Sequence, residues 1–415
     1  MIEQFSTHTF PNGLRMIHMQ SPTDVAYCGI AIDAGTRDEE PTEQGMAHFC
    51  EHMLFKGTQH RRAWHILNRM EAVGGDLNAY TTKEETFVYA AFMREHLQRA
   101  VNLVMDVVFN STYPQHEIDK EVEVIAEEID SYKDTPSELI FDDFENILFQ
   151  GHPLGHDILG KAERIRSFRT DDALHFVKRL YRPERMVLFI FGRYDFKQVV
   201  KLVSKEMEKV NVQHHFPNST NFVRPITPIQ SIQHTTKTLT KNTHQAHVMM
   251  GCRGYASDDK RRIALYFLNN LIGGPGMNSL LNVSLREHKG LVYTVESTLT
   301  NYTDTATFSI YFGCDNDDTE RCIQLVQKEL NRLIETPLTQ HSFEAAMKQI
   351  RGQIGVACDN FENYALDMAK SYLHYNRFEN IDDTYRHLSK LTPQIIQEVA
   401  ADLFRENNLS ILIYQ

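Results

Sequence analysis

The sequence has few cysteines, no paired cysteine motif and no long apolar run. Its six cysteines stand at positions 28, 50, 252, 314, 322 and 358, and none belongs to a C-x-x-C pair. Such scattered cysteines are typical of reduced thiols in a cytosolic protein rather than of a disulfide framework. Because no stretch of about 18 apolar residues occurs, no membrane span is expected. These absences predict a cytoplasmic chain without a membrane partner.

Positive charge is also scarce, since 43 lysines and arginines face 55 aspartates and glutamates. The net charge of −12 and the isoelectric point near 5.9 argue against nucleic acid as a partner. The first residues lack the basic and apolar pattern of a signal peptide. A hydrophobic content of 42% and a charged content of 24% fit a soluble globular protein, and 415 residues predict two to three domains.

The strongest motif is H-x-x-E-H at residues 48–52, whose immediate neighbours are apolar. The segment is predicted to be a buried helix on which His48 and His52 project from the same face. Two imidazoles placed in this way can share one tetrahedral metal, usually Zn²⁺. Glu51 leans toward that face, where it can take a proton from a metal-activated water. A hydrogen-bonded structural pair of histidines is the alternative, and the pentapeptide alone does not decide.

A zinc site needs a third protein ligand, and an acidic helix predicted at residues 117–129 offers one. Apolar residues recur there at helical spacing, so most of its carboxylates are expected on solvated faces. Glu121 and Glu128 are two turns apart and therefore lie on nearly the same side. A solvated acidic helix without a metal is the alternative, and it is our interpretation of the remaining glutamates.

The H-x-x-E-H helix, with a glutamate 76 residues beyond its second histidine, resembles the pitrilysin and insulinase zinc metallopeptidases, or inverzincins. The short two-domain members are most similar, namely the mitochondrial processing peptidase subunits and their bacterial relatives. Further similar patches extend over almost the whole chain, at residues 10–15, 35–39, 74–81 with Glu84, 152–155 and 158–160. Cys50 departs from the aliphatic residue common in the family, and we interpret it as a small buried hydrophobe.

This resemblance implies a role for each residue of the predicted metal site. It assigns zinc binding to His48, His52 and Glu128, and it makes Glu51 the general base. It matches Glu121 to a carboxylate that orients the metal ligands. The expected cofactor is therefore one Zn²⁺ per chain.

Further matches imply contacts to the substrate. Asn78 and Ala79 match an edge strand that pairs with an extended peptide, although a glycine turn is the alternative for the start of this segment. Arg286 and Tyr293 match a pair that contacts the substrate backbone and the developing oxyanion. The residues alone favour a helix-end arginine and a packed strand tyrosine, whereas the resemblance favours the functional role. The glycine-rich turn at residues 272–279 lacks the ending of a phosphate loop.

Strands alternate with helix pairs along the chain. This pattern predicts an α+β fold with two homologous α/β sandwich domains, each a sheet with helices packed on one face. We expect a catalytic zinc-binding domain at residues 1–210 and a metal-free homologous domain at 246–415. A polar, proline-containing linker is predicted between them at 211–245.

The second domain reads as a repeat of the first. Residues 114–129 match residues 339–354 at an offset of 225. Gln353 and Ala346 stand where the first copy has its two key glutamates, and no H-x-x-E-H occurs in the second half. Only the first copy is therefore expected to hold a metal.

Together these features predict a zinc-dependent endopeptidase that hydrolyses unfolded peptides inside a closed chamber. A non-catalytic peptide-binding or structural subunit of a processing-peptidase-like complex is the alternative, and the intact motif argues against it. Only the whole-chain resemblance excludes a zinc hydrolase of small amides. Because chambers of this family use four such domains, we expect a homodimer, or a heterodimer with a related chain. Arg286 and Tyr293 of one subunit would then face the zinc site of the other.

Overall fold

A computed structural model describes residues 5–210, 224, 227–229, 234–241 and 243–415, so most of the predicted linker lies outside the described residues. The described strands are β1 (Phe5–Thr9), β2 (Arg15–Met19), β3 (Val25–Ile32), β4 (Asp76–Thr81), β5 (Thr86–Met93), β6 (Met186–Phe191), β7 (Thr236–Leu239), β8 (Ala246–Gly254), β9 (Val292–Asn301), β10 (Ala306–Cys314) and β11 (Ser410–Tyr414). The described α-helices are α1 (Met46–Met53), α2 (Ala63–Glu71), α3 (Leu97–Phe109), α4 (Gln115–Lys133), α5 (Pro136–Leu148), α6 (Ala162–Ile165), α7 (Thr170–Leu180), α8 (Phe196–Met207), α9 (Arg262–Gly273), α10 (Thr319–Glu335), α11 (Gln340–Ala357), α12 (Phe361–Tyr375), α13 (Ile381–Leu388) and α14 (Pro393–Leu403).

The chain folds into two compact units, each with its own sheet. Unit 1 comprises Met1–Asp130, His156–Pro225 and Asp359–Asn380, and unit 2 comprises Ser131–Gly155, Ile226–Cys358 and Ile381–Gln415. This division differs from the linear boundaries expected from the sequence, because each half of the chain contributes one helix to the other unit. The apolar side chains of α5 pack on the sheet of unit 2, and those of α12 pack on the sheet of unit 1.

Unit 1 is organised by a six-stranded sheet with the order β1-β2-β6-β3-β5-β4. β2 and β6 are parallel, and the other neighbours are antiparallel. The central β6 is apolar and buried at all six positions, so both faces of the sheet need a cover. Helices α1, α3, α4, α7 and α8 pack on one face, and α12 packs on the other. The sheet therefore has the predicted helical layer and, in addition, a helix on its second face.

Unit 2 repeats this plan with a five-stranded sheet of order β7-β11-β8-β10-β9. Helices α9, α10, α11, α13 and α14 pack on one face, and α5 packs on the other. The strand order β6-β3-β5-β4 of unit 1 recurs as β11-β8-β10-β9 in unit 2. The prediction of two homologous α/β sandwiches in an α+β fold is thereby confirmed.

The cysteines form no disulfides, and the described helices are too short or too polar to cross a membrane, as the composition predicted. All six cysteines are free thiols, and Cys50 is buried in the core of unit 1 as predicted. Within the described ranges, no helix combines the length and the hydrophobicity needed to cross a bilayer.

Candidate metal centre

Helix α1 is anchored at its N-terminus, ahead of its two histidines. It follows Gly45, whose φ of +93° lies in the left-handed region that glycine adopts without strain. The Glu39 carboxylate accepts hydrogen bonds from the backbone amides of Gly45 at 3.0 Å and Ala47 at 2.8 Å. His156 Nε2 lies 3.0 Å from the same carboxylate. Because Glu39 accepts hydrogen bonds from two amides at the start of α1, it fixes the orientation of this helix and therefore of its two histidines.

The three predicted ligands come together in unit 1. His48 and His52 lie one turn apart on α1, with their ring centres 4.6 Å apart. Their Nε2 atoms lie 3.8 and 3.6 Å from the two carboxylate oxygens of Glu128 on α4. One ligand atom from each of the three residues lies within 4.8 Å of the other two.

These separations fit a tetrahedral metal. With metal–ligand bonds of about 2.1 Å, neighbouring ligand atoms of a tetrahedral zinc site lie about 3.4 Å apart. The two nitrogen–oxygen separations are close to this value and too long for hydrogen bonds. The Glu128 side chain is 43% exposed, so the site is open on that side to water or a substrate. Two imidazoles and one carboxylate beside an open position are the donor set of many catalytic zinc sites.

The pKa values of the two candidate histidines are shifted in opposite directions. Burial, with the neighbouring His52 ring, lowers the pKa of His48 to about 3, which keeps its imidazole neutral. Burial also opposes the charged form of His52, but the hydrogen bond that its ring donates to Glu121 and the charges of Glu51 and Glu128 raise its pKa overall. His52 Nδ1 lies 3.0 Å from Glu121 Oε1. The ring therefore donates its Nδ1 proton to Glu121 and keeps the Nε2 lone pair for a metal.

Glu121 is itself held from its other side. Its second oxygen, Oε2, lies 2.5 Å from the Lys56 ammonium, and the Glu121 residue is only 6% exposed. Lys56 and His52 together lower the pKa of Glu121 despite its burial, so the carboxylate stays ionised. This geometry agrees with the expected role of Glu121 in orienting His52. Lys56 in turn holds the Glu121 carboxylate in place. Sequence reasoning missed Lys56, although its position four residues after His52 was a usable signal.

The predicted general base, Glu51, lies in the interior beside the ligands. Burial raises the pKa of its carboxyl, and the charge of Glu128 adds to this, whereas a hydrogen bond from the Thr81 hydroxyl and the charge of His52 oppose it. A buried carboxylate with a raised pKa is suited to accept and return a proton. Sequence reasoning also missed Thr81, because the tertiary contact between β4 and α1 has no local signal.

The predicted substrate strand is β4, an edge strand of the unit 1 sheet. It pairs with β5 along one side, in a register that sets Asn78 opposite Tyr89 and Ala79 opposite Val88. Asn78 is exposed, and Ala79 is partly buried against the core. The other edge of β4 has no strand partner among the described residues, so its backbone groups are available to an extended peptide.

The predicted arginine and tyrosine lie close together in unit 2. Arg286 belongs to a π-helical segment at Asn282–Glu287, and Tyr293 stands near the start of β9. The guanidinium carbon of Arg286 lies 5.7 Å from the centre of the Tyr293 ring. Tyr293 is 81% exposed, so it is not the packed strand tyrosine that the residues alone suggested.

Unit 2 has an uncharged pair at the place that corresponds to the metal ligands. Asn270 on α9 donates a hydrogen bond to Gln353 on α11 over 2.7 Å. Gln353 is the residue that the repeat aligns with Glu128. An amide pair has no anionic ligand for a metal, which agrees with the expected loss of the site in the second copy.

Comparison with known proteins places these features in a family. A sequence model described as insulinase (peptidase family M16) matches residues 15–162, and one described as the peptidase M16 inactive domain matches residues 167–350. An uncharacterized zinc protease of Streptomyces coelicolor is 31% identical over 412 residues, covering 97% of this chain and 88% of that protein. This chain belongs to peptidase family M16. The resemblance inferred from the motifs is therefore confirmed.

Other similar proteins match over nearly their whole length. An uncharacterized zinc protease of Bacillus subtilis is 30% identical over 410 residues, covering 98% of this chain and 97% of its own. A solved protease structure from Helicobacter pylori superposes with a TM-score of 0.91 at 20% identity, covering 100% of both chains. A solved peptidase M16 inactive domain from Pseudomonas fluorescens gives 0.90 at 17% identity, covering 99% of this chain and 97% of its own. At these identities the two structures support the fold alone.

Proposed function

We propose that this M16 chain is a zinc-dependent endopeptidase with one Zn²⁺ held by His48, His52 and Glu128. The observation that supports it most directly is the meeting of these three ligand atoms within 4.8 Å, with Glu51 on the same helix as the two histidines. The names of the relatives, which call them zinc proteases, support the same metal and reaction. A non-catalytic subunit would not need to keep both the ligands and the base.

The chemistry divides between the metal and the side chains. A zinc ion bound here would lower the pKa of a water molecule and polarise the carbonyl of the peptide bond. Glu51 accepts the proton that the attacking water loses and delivers it to the nitrogen of the leaving amine. Its buried position keeps solvent from competing for that proton. Glu121 holds the His52 ring in the tautomer that leaves Nε2 free, and Lys56 holds Glu121.

Substrate binding is proposed at two places. An extended peptide pairs with the open edge of β4 at Asn78 and Ala79, so the backbone supplies affinity with little side-chain selectivity. Arg286 donates hydrogen bonds to peptide carbonyls, and the Tyr293 hydroxyl donates to the oxyanion that develops during attack. Both side chains come from the metal-free unit. We propose that they act on a peptide bound at the metal centre of a second copy, in a dimer that encloses unfolded substrates.

The test is cleavage of a peptide library by the purified chain, with its zinc content measured by elemental analysis. We expect about one zinc per chain, loss of cleavage with a chelator and recovery with Zn²⁺. Glu51→Gln is the matched variant, because it removes the base and leaves the ligands in place. It should retain zinc and lose several orders of magnitude in kcat. A zinc-loaded parent that cleaves no peptide would refute the proposal.

A further inference from the structure

The loop at residues 33–39, which joins β3 to the segment before α1, carries four charged side chains that are largely removed from solvent. Asp33 and Arg37 are buried, and the side chains of Asp38 and Glu39 are 12% and 0% exposed. Charged side chains are rarely buried to this extent unless they are paired, because removing a charge from water is costly. The partners of loop 33–39 therefore decide its conformation.

One partner comes from the segment predicted to join the two domains. Arg224 is among the described residues of 211–245, and its side chain is 8% exposed. One guanidinium nitrogen donates to Asp38 Oδ2 at 2.6 Å. The other donates to Asp33 Oδ1 and, at 2.7 Å, to the carbonyl oxygen of Glu84. These three acceptors match the planar fork of donors that a guanidinium presents.

The turn that joins β4 to β5 packs against the same loop. Three consecutive charged side chains of this turn are buried: Lys83, Glu84 and Glu85. Arg37 donates from its guanidinium to Glu84 Oε1 at 2.6 Å and from its backbone amide to the Lys83 carbonyl at 2.7 Å. Arg224 thus binds at the point where the loop and the turn are in contact.

The arrangement of the turn argues against a second metal site there. Single ligand atoms of Glu84, Glu85 and His374 lie within 4.8 Å of one another, which by itself would suit a cation. However, the Arg37 guanidinium lies 2.6 Å from Glu84, and the Lys370 ammonium lies 2.6 Å from Glu85. A metal would have to displace both groups and would be repelled by them. The two carboxylates therefore hold the turn rather than a metal.

The charges around the loop balance when Arg224 is counted with them. The charged cluster consists of three carboxylates and three guanidinium groups, those of Asp33, Asp38, Glu84, Arg37, Arg185 and Arg224. Although burial alone would raise the pKa of Asp38, the charges of Arg224 and Arg185 lower it overall, so this carboxylate stays ionised. Without Arg224, the three carboxylates of the cluster would share two cations, and the uncompensated buried charge would favour opening of the loop.

The loop leads directly into the N-terminal anchor of α1. The short helical turn Thr36–Asp38 is closed by the Asp38 carboxylate, which accepts a hydrogen bond from the Gly35 amide at 3.1 Å. The next residue is Glu39, whose carboxylate accepts hydrogen bonds from two backbone amides at the start of α1. A displacement of Asp38 would therefore displace Glu39, and with it the end of α1 that precedes His48.

We propose that Arg224 is a positioning residue of the metal centre, because it neutralises the buried carboxylates of loop 33–39 and so holds the loop that anchors α1. The inference rests on the proposed function, since it concerns the same zinc ligands. It also extends unit 1 beyond the predicted boundary at residue 210, because a residue of the predicted linker belongs to this unit. Loss of Arg224 should weaken zinc binding although no group that contacts the metal is removed.

The experiment measures zinc affinity in the full chain and its variants by competition with a chromophoric chelator. Arg224→Met keeps the aliphatic stem and removes the guanidinium, so zinc should bind about tenfold more weakly, as is typical when a group that supports metal ligands is lost. Arg224→Lys keeps the charge and loses the fork, and its affinity should lie between these two. Arg193→Met is the matched control and should bind zinc like the parent, because Arg193 is an exposed arginine of the same unit.

Two further measurements separate positioning from a general loss of stability. The visible spectrum of Co²⁺ bound in place of Zn²⁺ reports the arrangement of the ligands. It should change in Arg224→Met at a temperature at which circular dichroism shows the chain to be folded. In the Arg224→Met background, Asp33→Asn removes a carboxylate that has lost its partner and should recover part of the zinc affinity. In the parent the same substitution should lower the affinity.

The outcomes distinguish this inference from the proposed function. Parental zinc affinity and an unchanged cobalt spectrum in Arg224→Met would overturn the inference, as would an equal loss from Asp33→Asn in both backgrounds. If Arg224→Met does not fold, Arg224→Gln, which keeps an amide donor, is measured in its place by the same criteria. A parent chain that binds no zinc would instead refute the proposed function.

Discussion

At the scale of single residues, the candidate site is a chain of contacts that runs outward from the metal ligands. His52 is oriented by Glu121, and Glu121 is held by Lys56. Each contact is short and at least partly buried, so each is stronger than an exposed ion pair. The consequence is that zinc affinity should depend on residues that never contact the metal.

The proposed third ligand, Glu128, gives the first test at this scale. Glu128→Gln replaces an anionic oxygen with a neutral amide and should weaken zinc binding markedly, because zinc prefers the charged donor. Unit 1 should stay folded, since the Glu128 side chain is 43% exposed. Zinc content after dialysis and the circular dichroism spectrum measure the two effects. Full zinc occupancy in the variant would show that Glu128 is not a ligand.

Lys56 offers a test of the outer contacts. Lys56→Met keeps the aliphatic stem and removes the ammonium, so Glu121 loses the partner of its Oε2 atom. We expect zinc to bind about tenfold more weakly or worse, the range typical for groups that orient metal ligands. Competition with a chromophoric chelator measures the dissociation constant. Lys56→Arg should retain most of the affinity, and equal losses in both variants would mean that the positive charge is not responsible.

At the scale of elements, the turn between β4 and β5 makes the stability of unit 1 depend on pH. Burial alone would raise the pKa of Glu85, but His374 and Lys370 lower it to about 2. A carboxyl with a depressed pKa stabilises the fold fully above its ordinary pKa of 4.5 and loses this contribution as the pH falls toward 2. The full contribution is on the order of 3 kcal/mol.

Thermal unfolding of the parent and of Glu85→Gln, from neutral pH to about pH 3, tests this dependence. The parent should unfold at the higher temperature at neutral pH, and the difference should narrow as the pH falls below the ordinary pKa. Glu71→Gln, at an exposed carboxylate in the last turn of α2, serves as the control and should behave like the parent throughout. A difference that stays constant with pH would contradict the role of the Glu85 charge.

Much of the metal site could be predicted from the sequence because it depends on local geometry. The helical period alone sets His48 and His52 on one face of α1. The spacing of seven residues likewise sets Glu128 on the same side of α4 as Glu121. The alternation of strands and helices similarly predicted two α/β sandwiches, and the structure adds that the two sheets share one strand order.

The exchange of α5 and α12 between the units could not be predicted in this way. Periodicity identifies the apolar face of an amphipathic helix, but it does not say which of two similar sheets that face will cover. The charged turn at residues 82–85 was also missed, because a run of lysine and glutamates normally indicates a solvated loop. Lys56, by contrast, could have been identified from its position four residues after His52.

At the scale of the whole molecule, the described residues include the candidate metal centre in unit 1 and the exposed Arg286–Tyr293 pair in unit 2. In the proposed dimer, a Glu51→Gln chain keeps its Tyr293 intact, and a Tyr293→Phe chain keeps its Glu51 intact. Mixing the two after subunit exchange should therefore restore part of the activity, since one of the two sites in each mixed dimer is intact. With equal amounts and free exchange, about half of the dimers are mixed.

Activity of this mixture is compared with that of each variant alone, after mass spectrometry has confirmed the exchange. A mixture of Glu51→Gln with parent chains is the control. It measures the activity of dimers in which one of the two chains lacks the base. If the mixture of the two variants shows no recovery above its components, Arg286 and Tyr293 do not act across the dimer.

The three-segment construction of unit 1 has a consequence for the order in which this unit is completed during synthesis. The histidine helix leaves the ribosome early, but the last segment of its unit ends at Asn380, close to the end of the chain. Until α12 emerges, the second face of the sheet is uncovered, and Glu85 lacks Lys370 and His374. A nascent or prematurely terminated chain therefore carries the proposed zinc ligands without the partners that hold Glu85. We therefore expect the proposed peptidase activity to be absent until α12 has been synthesised and has packed on the sheet of unit 1.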